Sequence, residues 1–118
     1  MSINFQHDIS NTPPRTIIGG EVTIFHAAEL KERMLDILPD SEHWKIDLAQ
    51  VTDFDGAGLQ LLLWAKREAE QHGIEIQVYA PSQIVLDVLE LVGLTHYFNI
   101  SAETLADEPA TEDGGNIA

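Results

Sequence analysis

With 118 residues and a net charge of −14, the chain is long enough for one compact domain and too acidic to neutralise a phosphate backbone. Its six basic residues, Arg15, Lys31, Arg33, Lys45, Lys66 and Arg67, are scattered, so neither nucleic-acid binding nor attachment to an anionic membrane surface is expected. Cysteine is absent, which excludes disulfides, thiolate metal sites and cysteine nucleophiles and fits a reducing compartment. No apolar run approaches the ~20 residues of a bilayer span, and Met1-Ser2-Ile3-Asn4 does not open a secretory signal. A cytoplasmic protein is expected.

Ile3-Asn4-Phe5-Gln6 alternates apolar and polar residues as a half-buried strand does. Asn11-Thr12-Pro13-Pro14 signals a turn, and the β-branched Arg15-Thr16-Ile17-Ile18 predicts a second strand ended by Gly19-Gly20, so the pair could form a hairpin. From about His26 the period becomes helical: Leu30, Met34, Ile37 and Leu38 share a face, Glu29, Lys31, Glu32 and Arg33 the other, and Pro39-Asp40-Ser41 ends the helix. Trp44, Ile46 and Leu48 then mark one face of a strand, with residues 51–54 either a loop or a short extension of it.

A second helix is predicted over residues 57–72. Asp55 caps it, Leu59, Leu62, Leu63 and a snorkelling Lys66 share one side, and Gly73 stops it. Ile74-Glu75-Ile76-Gln77-Val78 alternates as a strand. Pro81 suits the first turn of a third helix whose apolar face is Ile84, Val85, Val88, Leu89 and Val92, closed by Gly93. Tyr97-Phe98-Asn99-Ile100 reads as a last short strand or a packing segment. Residues 101–118 carry five acidic residues and no basic or aromatic one, and such a composition cannot offset the entropy of ordering. One domain over residues 1–105 and a disordered acidic tail over 106–118 are expected. The element order predicts an α/β domain, a mixed sheet of four to five strands with helices packed on it.

Asp53-Phe54-Asp55-Gly56-Ala57-Gly58 is the segment closest to a chemical motif. Paired carboxylates beside glycines can hold magnesium or supply an aspartyl nucleophile, and the spacing is similar to the Asp-x-Asp loop of haloacid-dehalogenase-like phosphatases. Such enzymes need further acidic and lysine elements on a longer chain, and the calcium-loop spacing fails as well. A helix N-terminus explains the same residues: Asp55 caps, Gly56 and Gly58 permit close approach, and Leu59 begins the apolar face. Gly56-Ala57-Gly58 is too short to cradle phosphates. His7, His26, His43, His72 and His96 lie in separate elements without metal-ligand spacing, and Ser10, Ser41, Ser82 and Ser101 sit where turns and helix starts ordinarily place serine. No catalytic residue, cofactor or metal site is expected. Phe25 and Phe54 each precede a helix, and packing against that helix is their expected role.

Three stretches in register resemble the STAS domain, the family of bacterial anti-sigma-factor antagonists. Gly20-Glu21-Val22-Thr23 followed by Ala27-Ala28-Glu29-Leu30 is similar to the family's Gly-Glu-Leu-Asp and Ala-x-x-Leu. Ile46-Asp47-Leu48 through Asp55-Gly56-Ala57-Gly58-Leu59 resembles its strand and its Asp-Ser-Ser-Gly-Leu or Asp-Thr-Ala-Gly-Leu loop. Pro81-Ser82 with Leu89 and Val92-Gly93-Leu94 resembles its last helix. In the family, the hydroxyl residue directly after the Asp is phosphorylated by a partner serine/threonine kinase, which releases that partner.

The matching position here is Gly56, which has no hydroxyl, and neither does Ala57; Thr23 stands where the antagonists carry Asp. The resemblance therefore implies a divergent, stand-alone member of the kind encoded beside chemotaxis and signalling genes. It implies a non-catalytic interaction module in bacterial signal transduction whose partner is an anti-sigma or histidine-kinase-like or chemotaxis signalling protein. The implied partner face is Thr23, Phe25, Phe54, Asp55, Gly56, Ala57 and Gly58, with the phosphoacceptor lost at Gly56. An accessory subunit of a membrane transport ATPase is the alternative the family allows.

Overall fold

The computed structural model describes residues 3–8, 14–38 and 41–100. Strands β1 (Ile3–Asp8) and β2 (Arg15–Val22) lead into helix α1 (Ala27–Asp36). Strands β3 (His43–Asp47) and β4 (Val51–Phe54), helix α2 (Gly56–Gln71), strand β5 (Glu75–Tyr79) and helix α3 (Gln83–Leu91) follow. The turn at residues 11–13, the helix stop at Pro39-Asp40, the boundary at residue 105 and the acidic tail lie outside the described residues.

The expected mixed sheet is present, five strands in the order β1-β2-β3-β5 with β4 also paired to β2. β1 and β2 form the antiparallel hairpin, Phe5 opposite Ile18 and His7 opposite Thr16. β3 and β4 run parallel to β2 one after the other: residues 15–17 pair with 45–47, and Gly20, Glu21 and Val22 pair with Val51, Asp53 and Phe54. β4 is thus a continuation of β3 after a turn at residues 48–50, which resolves the choice between loop and extension.

β2 does not end at Gly19-Gly20 as the sequence suggested; it runs on to Val22. The turn carrying Gln50 crosses β2 so closely that a Cβ on Gly19 would stand 2.7 Å from the Gln50 Cβ. Gly20 takes φ 87° at the point where the register with β4 shifts, and its N–H donates to the Gln50 carbonyl at 3.0 Å. Both glycines serve a close crossing inside a strand, a use of glycine that reads as a terminator in one dimension.

Ile18, Val22, Trp44, Ile46, Ile76 and Val78 line the sheet face on which Leu30 and Met34 of α1, Leu61 and Leu62 of α2, and Val85 and Leu89 of α3 close one core. Each fully buried large side chain of this kind contributes about 1.5–3 kcal/mol of apolar transfer. The buried stripe of α2 is Gly58, Leu61, Leu62, Ala65, Lys66 and Ala69, while Leu59 and Leu63 are only half-buried. The small residues Gly58, Ala65 and Ala69 let the helix approach the sheet, which shifts its buried face away from the Leu59–Leu63 row. α1 ends at Asp36, and Ile37 and Leu38 pack on the core from beyond the helix.

Residues 94–100 form a packing segment and not a strand: Phe98 is fully buried, its carbonyl accepts the Val78 N–H at 3.0 Å, and Asn99 Nδ2 donates to the Ile76 carbonyl at 2.8 Å. Lys66, expected to reach solvent, is buried, its Nζ 3.4 Å from Glu70 and 4.8 Å from the Tyr97 ring centroid. The opposite sheet face is polar. Arg15 pairs with the buried Asp47, and Arg15 and Lys45 lie 5.1 and 4.7 Å from the Tyr79 ring centroid. No described helix is long and apolar enough to cross a membrane.

Candidate functional site at the start of the second helix

Parallel strands deliver their following segments to the same end of a sheet. β2 and β4 are parallel neighbours, so the β2–α1 turn and the β4–α2 junction meet. Thr23 shapes the first of these: its carbonyl accepts the N–H groups of His26 and Ala27, both at 2.9 Å, and its Oγ1 accepts that of Phe25 at 3.4 Å. At the second, Asp55 is extended and caps α2, Oδ1 accepting the Gly58 N–H at 3.0 Å. Its other oxygen, Oδ2, accepts the Ile24 N–H at 3.1 Å and so ties the two segments together.

Burial by itself would raise the Asp55 pKa. The N–H groups of Gly58, Ile24 and Ala57, with its own, outweigh that and hold the carboxyl below its ordinary 3.8. Asp55 is therefore an acceptor of backbone hydrogen bonds with both oxygens occupied. Asp53 is exposed on β4 opposite Glu21 of β2. Among the described residues no three His, Asp or Glu side chains converge as metal ligands.

The seven residues singled out from the sequence come together here in two layers. Phe54 and Gly58 form the lower one. Phe54 is 7% exposed, and a Cβ on Gly58 would stand 2.3 Å from the Val22 carbonyl oxygen and 2.9 Å from the Phe54 ring. They pack α2 on the sheet and offer a partner little surface. Gly56 is the reverse case: it is exposed in the first turn of α2, and an added Cβ would meet nothing within 4 Å. Its backbone lies outside the positive-φ region, so the position accepts a side chain. Ala57 is half-buried on the wall of a groove between α1 and α2.

Phe25 was expected to pack against α1. Instead it is 77% exposed, and Ile24 beside it is 71% exposed. The turn held by Thr23 and Asp55 leaves both side chains standing out as an apolar tip. Phe25 borders a shallow pocket of about 300 Å³ with Glu21, Thr23, Asp53, Asp55 and Ile84. Ile24 is a surface residue that periodicity did not single out, and Ile84, expected on the apolar face of α3, is exposed at this pocket. The available signal for Ile24 was an apolar pair, Ile24-Phe25, between a strand and a helix and in phase with neither.

His26 is enclosed by carboxylates behind this tip. Its Nε2 lies 4.0 Å from Glu21 and its Nδ1 3.9 Å from Glu29, and Nε2 is buried without a hydrogen bond.

A family model described as "Mlab, STAS domain" matches residues 5–104, most of the chain. The solved structure of the anti-sigma factor antagonist SpoIIAA in its unphosphorylated form superposes with a TM-score of 0.67 at 18% sequence identity, over 98% of this chain and 100% of that one. The likeness is one of fold, with the same mixed sheet and helices. The match of the family model over 100 consecutive residues, carried on that fold, makes the chain a member of the STAS domain family.

Proposed function

We propose that the chain is a non-catalytic protein-interaction module of the anti-sigma-antagonist type in bacterial signal transduction, acting in the cytoplasm and binding a kinase-like, anti-sigma or chemotaxis signalling partner. The observation that carries this reading is the pre-formed tip Ile24–Phe25, locked through Asp55 to the start of α2, with Gly56 unobstructed beside it. Exposed apolar side chains on a backbone already fixed by hydrogen bonds lose little entropy on docking, which favours binding by a rigid face. The partner face comprises Thr23, Phe25, Asp55, Gly56 and Ala57, with Phe54 and Gly58 supporting it from beneath. Glycine at position 56 leaves the face without the hydroxyl through which relatives are switched off, so binding is constitutive.

The test uses the partner recovered by reciprocal tagging from the native host. Calorimetry compares the parent with Gly56→Asp and Gly56→Ser. An unpaired charge in the contact must be desolvated, so Gly56→Asp is expected to weaken binding by about 3 kcal/mol, roughly a hundredfold. Gly56→Ser keeps binding within a few-fold and becomes a substrate if the partner is a kinase. Undiminished binding by folded Gly56→Asp protein places the partner face elsewhere. Recovery of a transport ATPase as the partner replaces the signalling role with that of a transporter subunit.

A further inference from the structure

A groove of about 490 Å³ runs between α1 and α2, walled by Ala27, Ala28 and Ala57 and flanked by Lys31, Trp64 and Arg67. No carboxylate lines it. That is unusual in a chain with 20 acidic and six basic residues. Arg15, Arg33 and Lys66 each pair with a carboxylate, to Asp47, Glu29 and Glu70. Lys31, Lys45 and Arg67 form no such pair among the described residues; Lys45 lies over the Tyr79 ring on the sheet, and Lys31 lies 5.0 Å from the Trp64 ring centroid. Two uncompensated cations thus meet on one apolar groove of an otherwise acidic molecule.

We propose that this groove is the docking site of the chain's own acidic segment, residues 101–118, held by Lys31 and Arg67. Charge is the first argument: the segment carries Glu103, the pair Asp107-Glu108 and the pair Glu112-Asp113, with no cation. A guanidinium or ammonium group beside a half-buried indole suits carboxylates flanked by small apolar residues such as Leu105, Ala106 and Pro109.

Reach is the second argument. Tyr97 lies against Lys66, the residue next to Arg67 on α2, so the described chain ends beside the helix that forms one wall. Asp107 is seven residues beyond Ile100, an extended span of about 23–25 Å, roughly twice the diameter of the helix to be rounded. Tethering is the third: a segment so short presents its carboxylates to the groove at an effective concentration on the order of millimolar, enough to populate a weak electrostatic contact. Docking of this kind is exposed and sensitive to salt, and it leaves the fold independent of the segment. It shares Ala57 with the partner face proposed above. Where both hold, a segment lying along Ala57 competes with that partner.

Because the chain has no cysteine, Ala110→Cys in the full-length protein gives a single attachment point for a nitroxide label. Paramagnetic broadening of amide signals then reports where the segment lies, with no partner required. At about 20 mM salt, the amides of Ala28, Lys31, Ala57 and Trp64 are expected to lose about half their intensity or more, and to recover in about 0.5 M salt as the charges are screened. The double substitution Lys31→Gln with Arg67→Gln in the labelled chain abolishes the effect while other amide shifts stay in place. Equal broadening over the whole surface, or broadening centred elsewhere, overturns the proposal. So does transfer of the effect from labelled to unlabelled, isotope-enriched chains in a mixture, which would make a second copy the occupant.

Discussion

Asp55 holds Ile24 to the first turn of α2: one carboxylate oxygen takes the Ile24 N–H at 3.1 Å while the other takes that of Gly58 at 3.0 Å. A helix cap and a loop clamp are thereby one side chain. The exposed Ile24–Phe25 tip has its position because α2 has its start.

Removing the clamp tests that coupling. Asp55→Ala is expected to cost about 0.5–2 kcal/mol, the scale of a lost N-cap, and to speed hydrogen exchange at the Ile24 amide as well as at Gly58. Denaturant unfolding and exchange measured on the same sample check it; a slowed or unchanged Ile24 amide would mean the turn stands without Asp55.

The same group sets an acid dependence. Its pKa is held below 3.8 in the fold, so the unfolded chain takes up its proton first as pH falls. The Asp55 contribution is full above about pH 3.8 and is lost as pH drops through the lower folded value. The stability gap between the parent and Asp55→Asn is expected to be constant from neutral pH down to that region and to narrow below it. A gap that widens in acid contradicts the assignment.

Gly56 and Gly58 are separated by one residue and by opposite expectations. Gly58→Ala places a Cβ on the Val22 carbonyl and the Phe54 ring and is expected to cost about 2–4 kcal/mol, or to prevent folding, because backbone and ring must both move. Gly56→Ala meets open space and gains helix propensity, so it is expected to be neutral or stabilising by up to about 1 kcal/mol. Thermal melts of the two variants check both.

Phe25→Ser is expected to change folding stability by less than about 0.5 kcal/mol, since the ring is 77% exposed. On the proposed function it lowers affinity for the partner tenfold or more, as loss of an aromatic anchor does. Melting curves and calorimetry separate the two effects, and intact binding by Phe25→Ser would remove the tip from the partner face.

Thr16 joins β1 to the core: its buried hydroxyl accepts from the Trp44 indole N–H at 2.8 Å and lies 2.7 Å from His7 Nδ1. Thr16→Val leaves the Trp44 donor unpaired in the core and is expected to cost about 1–3 kcal/mol by denaturant unfolding. Burial lowers the His7 pKa below 6.5, although the neighbouring Asp8 works to raise it. The neutral form is favoured in the fold, so this contribution is full above about pH 6.5 and falls as pH drops through the lower folded value. His7→Gln should remove that portion of the pH dependence.

Much of the fold was legible in periodicity. The alternation of Trp44, Ile46 and Leu48, of Ile74, Ile76 and Val78, and the spacing of Leu30 with Met34 and of Val85 with Leu89 each recur as buried positions. Asp55 was legible as a cap because capping is local chemistry between neighbours in the chain. These features depend on which residues lie within a turn or two of one another, and a sequence contains that information directly.

Three dimensions decided the rest. The run of β2 through Gly19-Gly20 depends on Gln50, some thirty residues away, crossing too closely to leave room for a Cβ on Gly19. The identity of the α2 face depends on how far Gly58, Ala65 and Ala69 let the helix descend onto the sheet. Phe25 and Phe54 have the same local setting, an aromatic before a helix, yet one is exposed and the other lies beneath Gly58. Phe54 closes β4 and pairs with Val22, whereas Phe25 stands in the turn beyond the end of β2, and the meeting of Lys31 with Arg67 follows from how α1 lies against α2. Pairing and helix packing are made between residues distant in the chain. The sequence specified the parts and their amphipathic faces, and only the packed sheet determined which of those faces remained for a partner.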